Sequence, residues 1–534
     1  MIRHCAAVLL VSATLIGCDS LDGFDDDVTE GVPIVEGFFG GVAGDEPRAV
    51  LVARSTLAAG GSAADAVVAY FFASAVTYPA ASSLAAGGAC IAYTQGENQA
   101  RLIDFRDAMP AASPEGELRP TMIPGAVRGM AVLHAEMGVL AWTDLITPAE
   151  RMARFGHPVS RALARDLSLV GDALIEDPGA YAVFTGPDGR LLREGDDLIQ
   201  LDLSAMLTYI RTRGAGDFYT SLGAAQFVEA VQSVGNRITL EDMRNYRPQW
   251  RETYSVAVPQ AIFGAEAPLR VPGPGFDAGA TSLWVWSMYD EGDLFAQSDP
   301  AARAHLQAAT SLRAAVARTM APDAPPDPAI VDLLMSSYSP GAATPIGELP
   351  AAPTPLQENP ASTSVSAVDA FGNAASCVFT MNSLFGNGRV APGTGIVLAA
   401  RPGEGWGNGM SLMPALMVNE NTQDVIFVGA TSGGIVAGPV MATVTAGIMQ
   451  ADMSLAEAID APRVFDPGLP DVAIVEEAIP QSTLDTLIAR GYELRSFPEL
   501  GRVNAIYCPG GVRSNPGSCS FVNDPRGFGL AVGG

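Results

Sequence analysis

Two hydrophobic periods alternate along this chain of 534 residues. Residues 48–78 are Ala-rich and predict a helix interrupted at Gly60-Gly61. Ser62 is placed to cap the second piece, with Asp65 at the spacing of a capping box. SLAAGGACIAY and RLIDFRD are apolar runs separated by a polar turn, the pattern of a β-hairpin. From Pro124 to about residue 169 the pattern is mainly helical, broken at Gly138 and at Gly156-His157-Pro158. Residues 170–300 mix helices and loops. Residues 322–360 are rich in Pro, Ala, Ser and Thr around one apolar piece, AIVDLLMSS, and predict an exposed, mobile connection. After Ser362 the character changes. VSAVDAFGNAASCVF predicts strand, turn, strand, and MPALMVNENTQDVIFVGA repeats the scheme. Helices follow over 439–452 and 480–491. Strands followed by helices predict antiparallel sheets covered by helices rather than a βαβ alternation. No internal repeat is visible.

With 48% hydrophobic and 17% charged residues, the chain is globular. Its length suggests about three domains. A net charge of −27 excludes the clustered basic surface that nucleic acid requires. The first 17 residues join a basic MIRH to a short apolar run that cannot span a bilayer, and predict an export signal. They run into Leu15-Ile16-Gly17-Cys18, which resembles a bacterial lipobox. That implies lipidation at Cys18 and a periplasmic, membrane-anchored protein of the cell envelope. An acidic tether follows over residues 18–32. Export implies an oxidising compartment. Cys508 and Cys519 bracket the turn-rich PGGVRSNPGS and predict a disulfide. Cys90 and Cys377, in apolar strand-like runs, read as buried small hydrophobes rather than as a bridge or nucleophiles.

His134, His157 and His305 lie far apart in sequence, His157 reads as structural, and no CxxC occurs, so no metal site is expected. The chain has no G-x-S-x-G elbow, no phosphate-cradling loop and no dinucleotide fingerprint, and no cofactor is implied. A hydroxyl nucleophile can instead use its own α-amino group as base, whose pKa of about 7.7–8.0 suits the task. The nucleophile must then open a chain, so the peptide bond before it must break. A connection ending in Ser362-Thr363-Ser364 and followed by a strand fits, although such clusters also cap and turn.

Several blocks together resemble the γ-glutamyltransferase (γ-glutamyltranspeptidase) family of N-terminal-nucleophile hydrolases. They are GGSAADAVVA (60–69), SLAAGGACIAY (83–93), LIDFRDAMP (102–110), PGAVRGMAVLHAEMGVLAW (124–142), VDAFGNAASCVFTMNSLFGNG (368–388), PGTGIVL (392–398), SGG (432–434) and NDPR (523–526). The resemblance implies an α+β fold, a four-layer αββα sandwich built jointly from a large chain (33–361) and a small chain (362–534) of one precursor. It places the self-cleavage before Ser362 and makes Ser362 the nucleophile, with Thr363 as the alternative by a one-residue shift and Ser364 where the family carries histidine. Arg106 falls on the arginine that grips the substrate carboxylate. Thr380 falls on the threonine supporting the nucleophile, Asn382 on an asparagine beside the substrate, and Gly433-Gly434 on the oxyanion-hole pair. Two segments depart from the family. Where Gln and Asp hold the substrate ammonium, this chain reads Ala400-Arg401-Pro402-Gly403-Glu404, leaving Glu404 as the carboxylate. Of a serine pair, Met410-Ser411 keeps only Ser411. The expected activity is transfer of a γ-glutamyl or related acyl group from a small-molecule amide to water or an amine. The alternatives are an acylase of altered preference and an inactive, envelope-binding lipoprotein.

Overall fold

The computed structural model describes residues 37–111, 119–259, 266–354, 361–402 and 412–534. Cys18, the leader and tether, Glu404 and Ser411 lie outside the described residues. The helical run of 48–78 forms Pro47–Ala58 and Ala63–Thr77, divided at Gly60, whose φ is +87°. Ser62 and Asp65 close the expected capping box. The two early apolar runs form the hairpin Gly87–Thr94 and Gln99–Asp104.

Two sheets carry the fold. One has seven strands in the order Leu530–Gly533, Gly40–Gly44, Ser362–Asp369, Ala374–Thr380, Gly87–Thr94, Gln99–Asp104, Gln249–Arg251. The other has six, in the order Ser520–Val522, Arg502–Tyr507, Asp424–Ser432, Met413–Asn419, Glu266–Pro272, Thr253–Pro259. All their pairings are antiparallel. Side-chain alternation explains the layering. Ile91, Tyr93, Val368 and Val378 of the first sheet meet Leu416, Val428 and Ile506 of the second in an inter-sheet core. Cys90, Ala92, Val365 and Ala367 point the other way, into a core shared with helices Pro47–Ala58 and Ala63–Thr77. Met413, Ala415, Phe427 and Ala505 face helices Asp277–Asp290 and Ala437–Gln450. The result is the αββα sandwich. Both faces of each sheet are buried, so its central strands read as continuous apolar runs.

Three expectations are corrected. The length suggested about three domains, but residues 34–534 form one unit. Each of these two sheets draws strands from both sides of Ser362, so neither part of the chain contains either of them complete. Cys90 and Cys377 form a disulfide. They are direct cross-strand partners with Cα atoms 4.1 Å apart, a separation that brings two thiols within bonding reach. Cys508 and Cys519 are also bonded. Finally, the Pro/Ala-rich connection is pinned as far as residue 354. It contains helix Pro328–Met335, and the buried Arg313 donates to Leu334 O (2.9 Å) and Thr344 Oγ1 (2.8 Å), while Thr354 N donates to Ala315 O. Residues 355–360 lie outside the described residues.

Candidate active site

Ser362 opens its strand at one end of the sandwich, fully buried. Across the ladder it faces Thr380, and Thr380 faces Gly87. In the second sheet Ser432 ends its strand opposite Arg502. Even positions of the Ser362–Asp369 strand point between the sheets: Ser366 Oγ donates to Asn504 O (2.8 Å) and Val368 lies in the inter-sheet core. Odd positions point at the helices, and Thr363 Oγ1 lies 3.3 Å from Tyr70 Oη. Ser362 and Thr363 therefore face opposite layers.

Ser362 Oγ accepts from Gly433 N–H at 3.2 Å. Gly433 has φ +129°, and a Cβ there would stand 2.4 Å from Gly501 Cα, so only glycine fits. Gly434 follows, buried, at φ +72°. Before Ser362, Ala361 O accepts from Thr380 Oγ1 (2.9 Å) and from Met381 N–H (3.2 Å). Thr380 Oγ1 itself accepts from Asn382 N–H (2.9 Å). The carbonyl that Ser362 would attack is thus polarised by two donors placed where negative charge would develop.

Asn382, at φ +62°, donates through Nδ2 to Asp107 Oδ2 (2.6 Å) and Ala400 O (2.8 Å). Gly87 allows this approach, because a Cβ there would lie 2.3 Å from Asp107 N. Arg106 therefore enters from the same end. Three of its five N–H groups are taken: Nε and Nη2 grip Asp104 (3.0 and 2.8 Å), and Nη1 reaches Gly275 O (2.5 Å). Its guanidinium stacks 3.9 Å from the Phe276 ring centroid. Burial works to raise the Asp104 pKa, but the hydrogen bonds and charge of Arg106, with the charge of Arg251, outweigh it and hold this carboxyl below its usual range. Asp104 orients the arginine. Arg401 is exposed and follows Ala400, the acceptor of the Asn382 amide.

Sequence reasoning missed the support beneath the nucleophile. Asp45, buried, accepts through Oδ2 from Ser364 N–H (2.8 Å), Ser364 Oγ (3.1 Å) and Ser432 Oγ (3.0 Å), and through Oδ1 from Asn504 Nδ2 (2.8 Å). It fastens the Ser362 strand to the strand that delivers Gly433. Ser364, at the histidine position, is part of this knot. Arg502 is buried beside it. Desolvation lowers its pKa, but the charges of Asp45 and Glu499, with the Tyr78 phenol, more than offset this and hold it above the ordinary guanidinium value. The one sequence signal was an acid pair, Asp45-Glu46, at a strand-to-helix corner. The NDPR block is structural: Asp524 pairs with the buried Arg463 at 2.6 Å and accepts from Val503 N–H at 2.9 Å. His157 is buried, its ring bonded to Pro158 O, and burial lowers its pKa.

Residues 49–404 and 408–533 match the family model for gamma-glutamyltranspeptidase, and the chain belongs to that family of N-terminal-nucleophile hydrolases. The glutathione hydrolase proenzyme of Escherichia coli (strain K12) is 26% identical over 94% of this chain and 93% of its own length. The acylase ACY 1 proenzyme of Pseudomonas sp. (strain V22) is 29% identical over 88% and 89%. The crystal structure of cephalosporin acylase from Bacillus halodurans matches in fold, with a TM-score of 0.78 over 93% of this chain and 96% of that one at 20% identity.

Proposed function

We propose that this chain cuts itself between Ala361 and Ser362 and then works as an amide hydrolase and acyltransferase through Ser362. The observation that carries this reading is the double hydrogen bond on Ala361 O next to a buried hydroxyl held by Gly433 N–H. Ser362 Oγ attacks the Ala361 carbonyl carbon, and the C–N bond breaks as the nitrogen takes the proton. Water then hydrolyses the resulting ester. The freed α-amine becomes the base for later turnovers, drawing the Oγ proton as the hydroxyl attacks a substrate amide. Gly433 and Gly434 N–H groups stabilise the oxyanion. The large chain would be 33–361 and the small chain 362–534.

Cleavage would leave Cys90 in one fragment and Cys377 in the other, still joined by their disulfide. Processed protein is therefore expected to run as one species on a non-reducing gel and as two after reduction. Two species without reductant would contradict this.

The donor is a dicarboxylic monoamide whose distal carboxylate meets Arg106: a γ-glutamyl amide or a relative lacking the α-amine. Arg401 favours the second. Its positive charge sits one residue from the Asn382 contact, where it repels a donor ammonium. Exposure screens the repulsion, leaving about a tenfold preference. The family neighbours named as acylases are consistent with this variation. Paired chromogenic anilides test it: glutaryl anilide is expected to exceed γ-glutamyl anilide in kcat/KM about tenfold, with Arg401→Gln narrowing the gap. A γ-glutamyl preference would refute the choice of acyl group.

The lipobox-like LIGC motif supports an envelope location with Cys18 lipidated. Cys18→Ser is expected to move the protein out of the membrane fraction or leave the leader attached. Unchanged fractionation with normal leader removal would contradict the anchor.

A further inference from the structure

A cavity of about 360 Å³ borders Gly433, the residue whose N–H holds Ser362 Oγ. Its size lies at the lower end for small-molecule sites, about 300–1,000 Å³. Ile435, Val436, Leu469, Val472, Phe497 and Leu500 give it an apolar lining. Its border carries three charged residues, of which Arg495 is exposed to solvent. Glu499 meets Arg165 at 3.4 Å, and Arg502 lies in the field of Asp45 and Glu499. At its edge Leu469 and Phe497 remain 40% and 43% exposed, large apolar groups left open to solvent. The cavity shares no residue with the wall formed by Arg106, Asp107 and Asn382.

We infer that this cavity binds the apolar portion of the amine leaving group, and of an acceptor amine. The inference rests on the reading of Ser362 as the nucleophile. With the acyl carboxylate directed to Arg106 and the carbonyl at Ser362, the other side of the scissile amide must lie along a different wall, and the apolar cavity begins at Gly433. In acylation the amide C–N bond breaks while a Ser362 Oγ–acyl bond forms. The Oγ proton passes to the α-amine and from there to the departing nitrogen. An amine entering the same cavity reverses these steps. The substrate class is therefore an acyl amide of an amine bearing an aliphatic or aryl group.

A series of N-methyl, N-butyl and N-hexyl amides of one acyl group tests this. The expected rise in kcat/KM is about fourfold per added methylene until the cavity is filled. Val472→Asp and Phe497→Asp are expected to flatten the series; Phe497 is partly exposed, so its replacement leaves the core intact. Independently of turnover, calorimetry should detect n-hexylamine binding to Ser362→Ala, and the loss of that binding in Ser362→Ala/Val472→Asp. A flat series from active wild-type enzyme, or no hexylamine binding, overturns the inference. Hexylamine binding abolished by the Val472 change, with no amide hydrolysed by wild type, supports the amine site and refutes the proposed chemistry of Ser362.

Discussion

Ser362→Ala yields a single uncut chain that hydrolyses none of the amides. In the proposed mechanism the side-chain oxygen is the attacking atom in self-cleavage and again in turnover, and removing it leaves Ala361 O held by Thr380 and Met381 with nothing to attack its carbon. Loss of a nucleophile costs on the order of 10⁶ in kcat, so residual activity should vanish into background. The substitution deletes one oxygen at a buried position and leaves the surrounding ladder intact. The protein should therefore remain folded. Thr380→Val separates the steps. It removes one of two donors to the scissile carbonyl, and self-cleavage should slow by about 10²–10³, the usual effect of losing an oxyanion donor. Time courses on gels measure both. Normal processing in Ser362→Ala would remove this residue from the mechanism.

Asp45→Ala is expected to lower both stability and processing. The carboxylate ties the Ser362 strand to the Gly433 strand through Ser364 and Ser432, and it holds the Asn504 amide. Removing it leaves the buried donors of Ser364, Ser432 and Asn504 without their acceptor, at about 1–3 kcal/mol for each donor left unsatisfied and about 3–5 kcal/mol in all, a large fraction of a typical stability of about 5–15 kcal/mol. Unfolding entropy of about 2.1 cal/mol/K per residue makes a chain of this size lose roughly 1 °C per kcal/mol, so Tm should fall by about 3–5 °C. Asp45→Asn keeps one acceptor oxygen and fills the same space. It should be milder in Tm but still slow cleavage, because the distance between Ser362 and Gly433 is no longer fixed. Calorimetry and processing half-times report the two effects separately. An Asp45→Ala protein that melts and processes normally would show that the knot positions nothing.

What the sequence revealed and what it hid divide along one physical line. Local chemistry was legible. The Ser62–Asp65 capping box, the Gly60 break and the two hairpins in the small-chain region each depend on residues a few positions apart. Ser362, Thr380, Arg106 and Gly433 were nameable through the family resemblance alone, since nothing in a Ser-Thr-Ser run or a Gly-Gly pair shows that they will meet. Contacts formed by strand order stayed hidden. Asp45 and Asn504 bond across 459 positions, and Cys90 and Cys377 across 287. Counting cysteines offered the one clue to the second bridge. Setting aside Cys5 of the leader and Cys18 of the lipobox-like motif leaves four, and pairing Cys508 with Cys519 leaves two in the oxidising compartment that export would imply. The mobile connection failed for a related reason. Its composition is that of a loop, but the buried guanidinium of Arg313 fastens it from the preceding helix, across 21 and 31 positions.

The most direct test of the account is N-terminal sequencing of the small fragment from purified wild-type protein, supported by intact masses before and after reduction. The account predicts a fragment beginning Ser-Thr-Ser-Val, joined to its partner until the Cys90–Cys377 bond is reduced. A chain that stays whole through long incubation, or a fragment that begins at Thr363, would contradict it.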